Sequence, residues 1–284
     1  MITRRHFLHW VWGLPLLSAF PFRISEGWAQ GSSPLEMVKK SSIGEFFNGE
    51  ELTYEIGLWI IKQAAIGRLT FQPTERKGRY VATLQGETLG VLGFVARYRM
   101  DTYRAVMEEI ENGTRLRSVS FEEHVKVGNK LRKKMHTFDY QRRKWATHTM
   151  RQGGKVETTE EEIPEGKIFD DFLTAAYNFR YGAYGTVERG RRYTVPTFPR
   201  KGGVANYEVR VATKDEEERR RREEKARDGK EYLIRLSMDR ELTHSKEGVI
   251  EGWLSRDIYP IEGAIKDVIL YGDIRGTLIK RSKV

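Results

Sequence analysis

The chain has 284 residues, a formal net charge of +10 and no cysteine. Without thiols there is no disulfide framework, no cysteine nucleophile and no lipid-carrying cysteine at a processed terminus. The basic excess favours anionic partners.

In chain order, the first feature is Thr3-Arg4-Arg5-His6-Phe7-Leu8, followed by an apolar run from Trp10 to Phe22, then Arg23 and Gly27-Trp28-Ala29. A basic head, an apolar middle and a small-residue end are the order of a secretory signal. The apolar run has 13 residues, and a membrane span needs about 20, so the segment reads as a signal cleaved after Ala29 and not as an anchor. Gly13, Pro15 and Pro21 argue against a structural helix. The pair Arg4-Arg5 with Phe7-Leu8 resembles the twin-arginine export motif. The expected first partner is therefore the export machinery, and the expected location is the periplasm. There the anionic neighbours are lipid headgroups, lipopolysaccharide and wall polymers, and nucleic acid is not expected. Residues 30–44 read as a flexible leader. Residues 45–284 read as a single β domain, since no linker composition or fixed-period repeat divides them.

Alternation dominates the rest of the chain. Leu52, Tyr54, Ile56, Leu58 and Ile60 share one parity, and Tyr80, Ala82 and Leu84 repeat the pattern. So do Tyr207, Val209 and Val211, then Ile234, Leu236 and Met238, then Ile274, Gly276 and Leu278. This is the period of half-buried strands, and Gly128-Asn129, Gly153-Gly154 and Gly202-Gly203 punctuate it as turns. Two segments read as helix instead. Phe169–Arg180 places Phe169, Phe172, Leu173, Ala176 and Tyr177 at helical spacing, with Asp170 and Asp171 at the N-terminal end and Gly182 as a stop. The insertion at about 215–228 runs from glutamates to arginines, with acid-to-base pairs four apart and almost no apolar residue. It reads as a solvated projection between two strands.

Residues 126–144 carry a net +7. Lys126, Lys130, Arg132, Lys133, Lys134, Arg142, Arg143 and Lys144 are the candidate anionic-ligand residues of this hairpin. An acidic stretch follows from Glu157 to Asp171, so the same charges could simply lie side by side on one surface, each exposed pair contributing about 0–1 kcal/mol. His124, His136 and His148 are twelve residues apart, which invites a metal site. A two-residue turn at Gly128-Asn129 sets His124 opposite Lys133 and His136 opposite Phe121, so these two histidines face opposite sides. No metal or cofactor is expected. No Gly-x-Ser-x-Gly, His-Glu-x-x-His or phosphate-loop pattern occurs, and Asp170 and Asp171 are better explained as helix caps than as an acid/base pair.

Three stretches carry a family resemblance. They are Gly49-Glu50-Glu51-Leu52-Thr53-Tyr54-Glu55-Ile56 with Ala65-Ile66-Gly67-Arg68-Leu69; Asp171-Phe172-Leu173-Thr174-Ala175-Ala176-Tyr177 with Arg180; and Gly252-Trp253-Leu254-Ser255-Arg256-Asp257 with Pro260-Ile261 and Gly272-Asp273-Ile274. Together they resemble the bacterial domain of unknown function family numbered 3108. The resemblance implies an exported, mainly antiparallel β protein and supplies no catalytic residue. The expected fold is all-β, a strongly curved antiparallel sheet or open barrel crossed by one short helix. The expected function is non-enzymatic binding or envelope maintenance, for lipid or an anionic envelope polymer. An envelope hydrolase with a site of scattered Asp, Glu and His, and a structural partner of an envelope complex, are the alternatives.

Overall fold

The period-2 pattern becomes fourteen strands. The computed structural model describes residues 41–283 apart from 59–60, 91–96, 151–153, 199–205, 225–228, 239, 244 and 269–271. The expected export signal at 1–29, with Arg4, Arg5, Phe7, Leu8 and Ala29, lies outside the described residues, as does most of the expected leader.

Helix α1 (Ile43–Phe47) leads into β1 (Glu50–Leu58), β2 (Ile61–Pro73), β3 (Arg79–Thr88), β4 (Met100–Ile110), β5 (Arg115–Val127), β6 (Lys130–Asp139), β7 (Lys144–Met150) and β8 (Val156–Glu162). Helix α2 (Phe172–Tyr181) follows, then β9 (Arg192–Pro196), β10 (Asn206–Val211), helix α3 (Lys214–Glu224), β11 (Tyr232–Ser237), the one-turn helix α4 (Arg240–Thr243), β12 (Val249–Leu254), β13 (Pro260–Val268) and β14 (Gly272–Lys283). All lie in one sheet, in the spatial order β8 down to β1, then β14 down to β9. Apart from β8 and β9, strands adjacent in the chain pair antiparallel, and the pairing of β1 with β14 joins the two ladders. The edges β8 and β9 do not pair, so the sheet is not closed into a barrel.

Helix α2 explains the curvature. Its Leu173 and Tyr177 pack with Phe71, Ala82, Phe121 and Trp145 from the first ladder. Its Phe179 and Ala175 pack with Tyr193, Val209, Val195 and Tyr207 from the second. One face of the sheet therefore closes around a single helix, and the concave side is filled at this level. The expected all-β curved sheet crossed by one short helix is what forms. Phe198, just beyond β9, bridges the ladders, with its ring centroid 4.6 Å from that of His136 and 5.6 Å from that of Trp145.

Asp171 caps α2 by accepting from the Leu173 and Thr174 amides, and Gly182 ends it in the left-handed conformation. Arg180, in the last turn, forms a two-pronged ion pair with Glu50 of β1 at 2.6 and 2.7 Å, both side chains being 5% exposed. It also donates to the Ile258 carbonyl and lies against the rings of Phe47, Tyr177 and Tyr259. This pair fixes the helix to the strand at the centre of the sheet.

Two features differ from the sequence expectation. Helix α1 has a capping box from Ser42 and Glu45, and its Ile43 and Phe47 are buried. The packed chain thus reaches back into the stretch read as a leader. Helix α3 is not a solvated projection but lies against the convex face of the sheet. Glu217, 2% exposed, accepts from Arg189 Nε at 2.9 Å and from the Leu233 amide, and Arg220 pairs with Glu251 at 3.0 Å. Trp253 Nε1 donates to Glu224, and Arg221 lies over the indole. An absent apolar stripe does not prevent docking when long charged side chains lay their methylene stems on one tryptophan and their heads find partners.

Candidate functional site

Two parts of the concave side carry chemistry: the acid cluster at the start of α2, and the upper end of the trough, where β5 turns into β6.

At the acid cluster, Asp171 Oδ2 also accepts from the Ser118 and Thr174 hydroxyls, each at 2.7 Å. Asp170 is not a cap, contrary to expectation, because it precedes the cap residue and its side chain turns elsewhere. Its Oδ2 accepts from Tyr184 Oη at 2.5 Å, from Arg115 at 3.3 Å and from Asn178 at 3.4 Å. Oδ1 has no partner. Burial pushes the Asp170 carboxyl up to about 7 against the downward pull of Tyr184 and Arg115, and burial raises Asp171 as well. Asn178 completes the cluster by bonding both the amide and the carbonyl of Leu116, each at 2.8 Å. Both carboxyls are 0% exposed, so the arrangement locks α2 onto β5 and gives a substrate no access.

At the upper end the register sets rows of side chains across the concave face. Ile250, which packs inward, faces Ile265, which faces Ile274, which faces Leu58. The next row toward α2 runs Ile234, Gly252, Gly263, Gly276, Ile56 and Ala65. Beyond it Tyr54, Gly67, Gly86 and Asp101 form a third. The aliphatic members are half-buried. At Gly86 and Gly263 no described atom lies within 4 Å of where a Cβ would sit. Gly86 and Gly263 thus leave open space on the concave face above the helix, whereas a Cβ at Gly67 or Gly252 would meet Ile56 or the Glu262 carbonyl; the sequence signals this only through the shared parity of these glycines with the buried positions.

The eight basic candidates do not form one patch. His136 and Phe138 point inward, so Lys130, Arg132 and Lys134, of the same parity, lie on the concave face beside Val127, Val125 and Glu123. Lys126 and Lys133 lie on the convex face. Arg142, Arg143 and Lys144 sit at the other end of the strand pair, where Arg143 meets Glu162 and Glu165, Lys144 meets Glu160 and Arg142 meets Asp139. Among the described residues none of the five cations at the upper end has an ion pair. The register at Gly128-Asn129 is the expected one, with His124 facing Lys133 and His136 facing Phe121. His136 bonds Thr147 at 2.9 Å and lies 3.3 Å from Glu123. Among the described residues no group of three or more potential ligands is placed to hold a metal.

The sequence matches the family described as Protein of unknown function (DUF3108) over residues 53–279. The chain belongs to this family. The match to DUF3108 spans β1 to β14 and includes α2 and the acid cluster. No curated protein matches the sequence. Among solved structures, the chain is similar to a beta-barrel-like protein of the domain of unknown function DUF1849 from Brucella abortus, with 12% identity, 84% of this chain and 98% of that one covered, and a TM-score of 0.46.

Proposed function

We propose that this is an exported, non-enzymatic periplasmic protein that binds an anionic acyl-chain lipid in the upper trough. The observation that carries the reading is the half-buried aliphatic row Ile250, Ile265, Ile274 and Leu58 above a glycine-hollowed floor. An apolar concavity with a few placed polar groups is the usual form of a small-ligand site. Lys130, Arg132 and Lys134 rise from the same face and supply the charge for the headgroup. The buried acid cluster weighs against the hydrolase alternative, since a carboxyl must reach the proton it moves.

Native mass spectrometry of protein purified from its own periplasm tests the trough, with a retained lipid as the expected result. The cations are tested by comparing Lys130→Glu, Arg132→Glu and Lys134→Glu together with Lys126→Glu and Lys133→Glu together. Sedimentation with anionic liposomes should fall at least tenfold in the first variant and change little in the second. Equal losses would point to plain net charge, and no loss in either would remove the headgroup role. Lipopolysaccharide or a wall polymer as ligand would appear as binding that survives when the trough is filled. Replacing Arg4 and Arg5 by Lys should block export, and unimpeded export would point to the general-secretion route.

A further inference from the structure

The convex face of β9 to β11 holds a second constellation. Tyr207, Val209 and Val211 point inward, so Arg210 points out, with Arg192 directly opposite it on β9 and Arg235 directly opposite it on β11. Three arginines aligned across three adjacent strands repel one another, since like charges directly opposed destabilise a sheet. Two of them are neutralised. Glu216 holds Arg210 with both oxygens at 2.7 Å, and Glu208 holds Arg192 at 3.0 Å. Arg235 is less well served, because its Glu251 partner is 3.7 Å away and also serves Arg220 at 3.0 Å and Lys266 at 3.7 Å. Arg240, exposed at the start of α4, has no ion pair among the described residues. These four arginines, with Glu208, Ser237, Glu247 and Val249, line an open depression of about 390 Å³.

We infer that this depression binds a compact phosphate monoester or diphosphate, independently of the trough on the opposite face. Guanidinium forks match the oxygens of a phosphate two at a time, and the Ser237 hydroxyl adds a donor. Val249 is the one aliphatic side chain in the lining, so the ligand is polar. The volume lies at the small end of the roughly 300–1,000 Å³ range of small-molecule sites. A dianion between Arg235 and Arg240 relieves the repulsion that the carboxylates already present leave in place.

The phosphate can come from a free sugar phosphate or from a lipid headgroup, and two arms separate these sources. In the first, the mature protein is titrated calorimetrically with glycerol 3-phosphate and with pyrophosphate. In the second, it is sedimented with vesicles of phosphatidic acid in phosphatidylcholine and with phosphatidylcholine alone. Arg235→Gln and Arg240→Gln should each weaken binding about tenfold or more. Lys130→Glu should leave binding of the two soluble probes in place, which separates failure of this site from failure of the lipid-trough reading. Arg240 lies outside the sheet ladder, so Arg240→Gln should unfold at the same temperature as the wild type. Binding of the soluble probes identifies a free phosphate as the source, and binding confined to phosphatidic acid vesicles and weakened by Arg235→Gln and Arg240→Gln identifies a headgroup in this depression. No saturable binding in either arm, or binding that both glutamine variants leave unchanged, overturns the inference.

Discussion

Removing the Glu50 carboxylate tests how α2 is held. In Glu50→Gln, Arg180 keeps its charge and its 5% exposure but loses two ionic hydrogen bonds of 2.6 and 2.7 Å. The Ile258 carbonyl and three aromatic faces remain, and they do not replace a carboxylate. Breaking a buried pair from one side typically costs about 3–5 kcal/mol, about a fifth or more of the stability of a marginal domain at about 5–15 kcal/mol. Replacing both partners, as in Glu50→Gln with Arg180→Met, removes the stranded charge along with its partner. The double variant should therefore lose less than the sum of the two single losses. The assay is urea unfolding followed by tryptophan fluorescence, with all four proteins in one double-mutant cycle. A single-variant cost below about 1 kcal/mol, or strict additivity in the cycle, would refute the claim that this contact anchors the helix.

Three further outcomes rest on the geometry. Asp170 retains its proton in the folded state up to about pH 7, whereas the unfolded carboxyl loses it near 3.8. The folded state therefore binds more protons between these values, and stability should fall as pH rises from about 4 to about 7. Arg115, Tyr184, Asn178, Asp171 and the nearby Tyr140 are the groups that face it. Asp170→Asn should flatten that slope, as unfolding curves at pH 5 and pH 8 would show; identical slopes would dismiss the assignment. Asn178→Ala strands the amide and carbonyl of Leu116 and should cost about 2–4 kcal/mol in chemical unfolding, so a loss under about 1 kcal/mol would mean that water takes over both bonds. Gly86→Val and Gly263→Val should keep or raise stability by up to about 1 kcal/mol while blocking lipid retention. Gly44→Ala should instead cost about 1–3 kcal/mol, because its Cβ would fall 2.0 Å from the Tyr80 ring. Thermal unfolding of the three variants reads this contrast.

The strands are legible in the sequence because alternation fixes a face: Leu52, Tyr80, Ala82, Tyr207 and Val209 all turn inward as their parity requires. The β5–β6 register is legible because a two-residue turn admits one pairing. Helix α1 escapes such a reading because five residues are too few to show a period, although Ser42 and Glu45 spell a capping box. Asp170 and Asp171, adjacent in sequence, suggest one shared job, but the chain turns at the cap and sends them to different partners. The docking of α3 is illegible because the decisive partner, Trp253, lies some thirty residues downstream. The same holds for Arg192, Arg210 and Arg235, which become neighbours only when three strands pair.

Strand order has a further consequence, for biosynthesis. β14 emerges from the ribosome after every other described strand, yet its place is at the middle of the sheet, between β1 and β13. A growing chain can assemble two separate ladders of local hairpins, but it cannot join them until Gly272–Lys283 are free. Long-range pairing of this kind is slow to form. A stop codon before Gly272 would therefore leave two half-sheets, with the inner edges of β1 and β13 exposed and α2 still lying between them, where trimming a peripheral strand would merely shorten the structure.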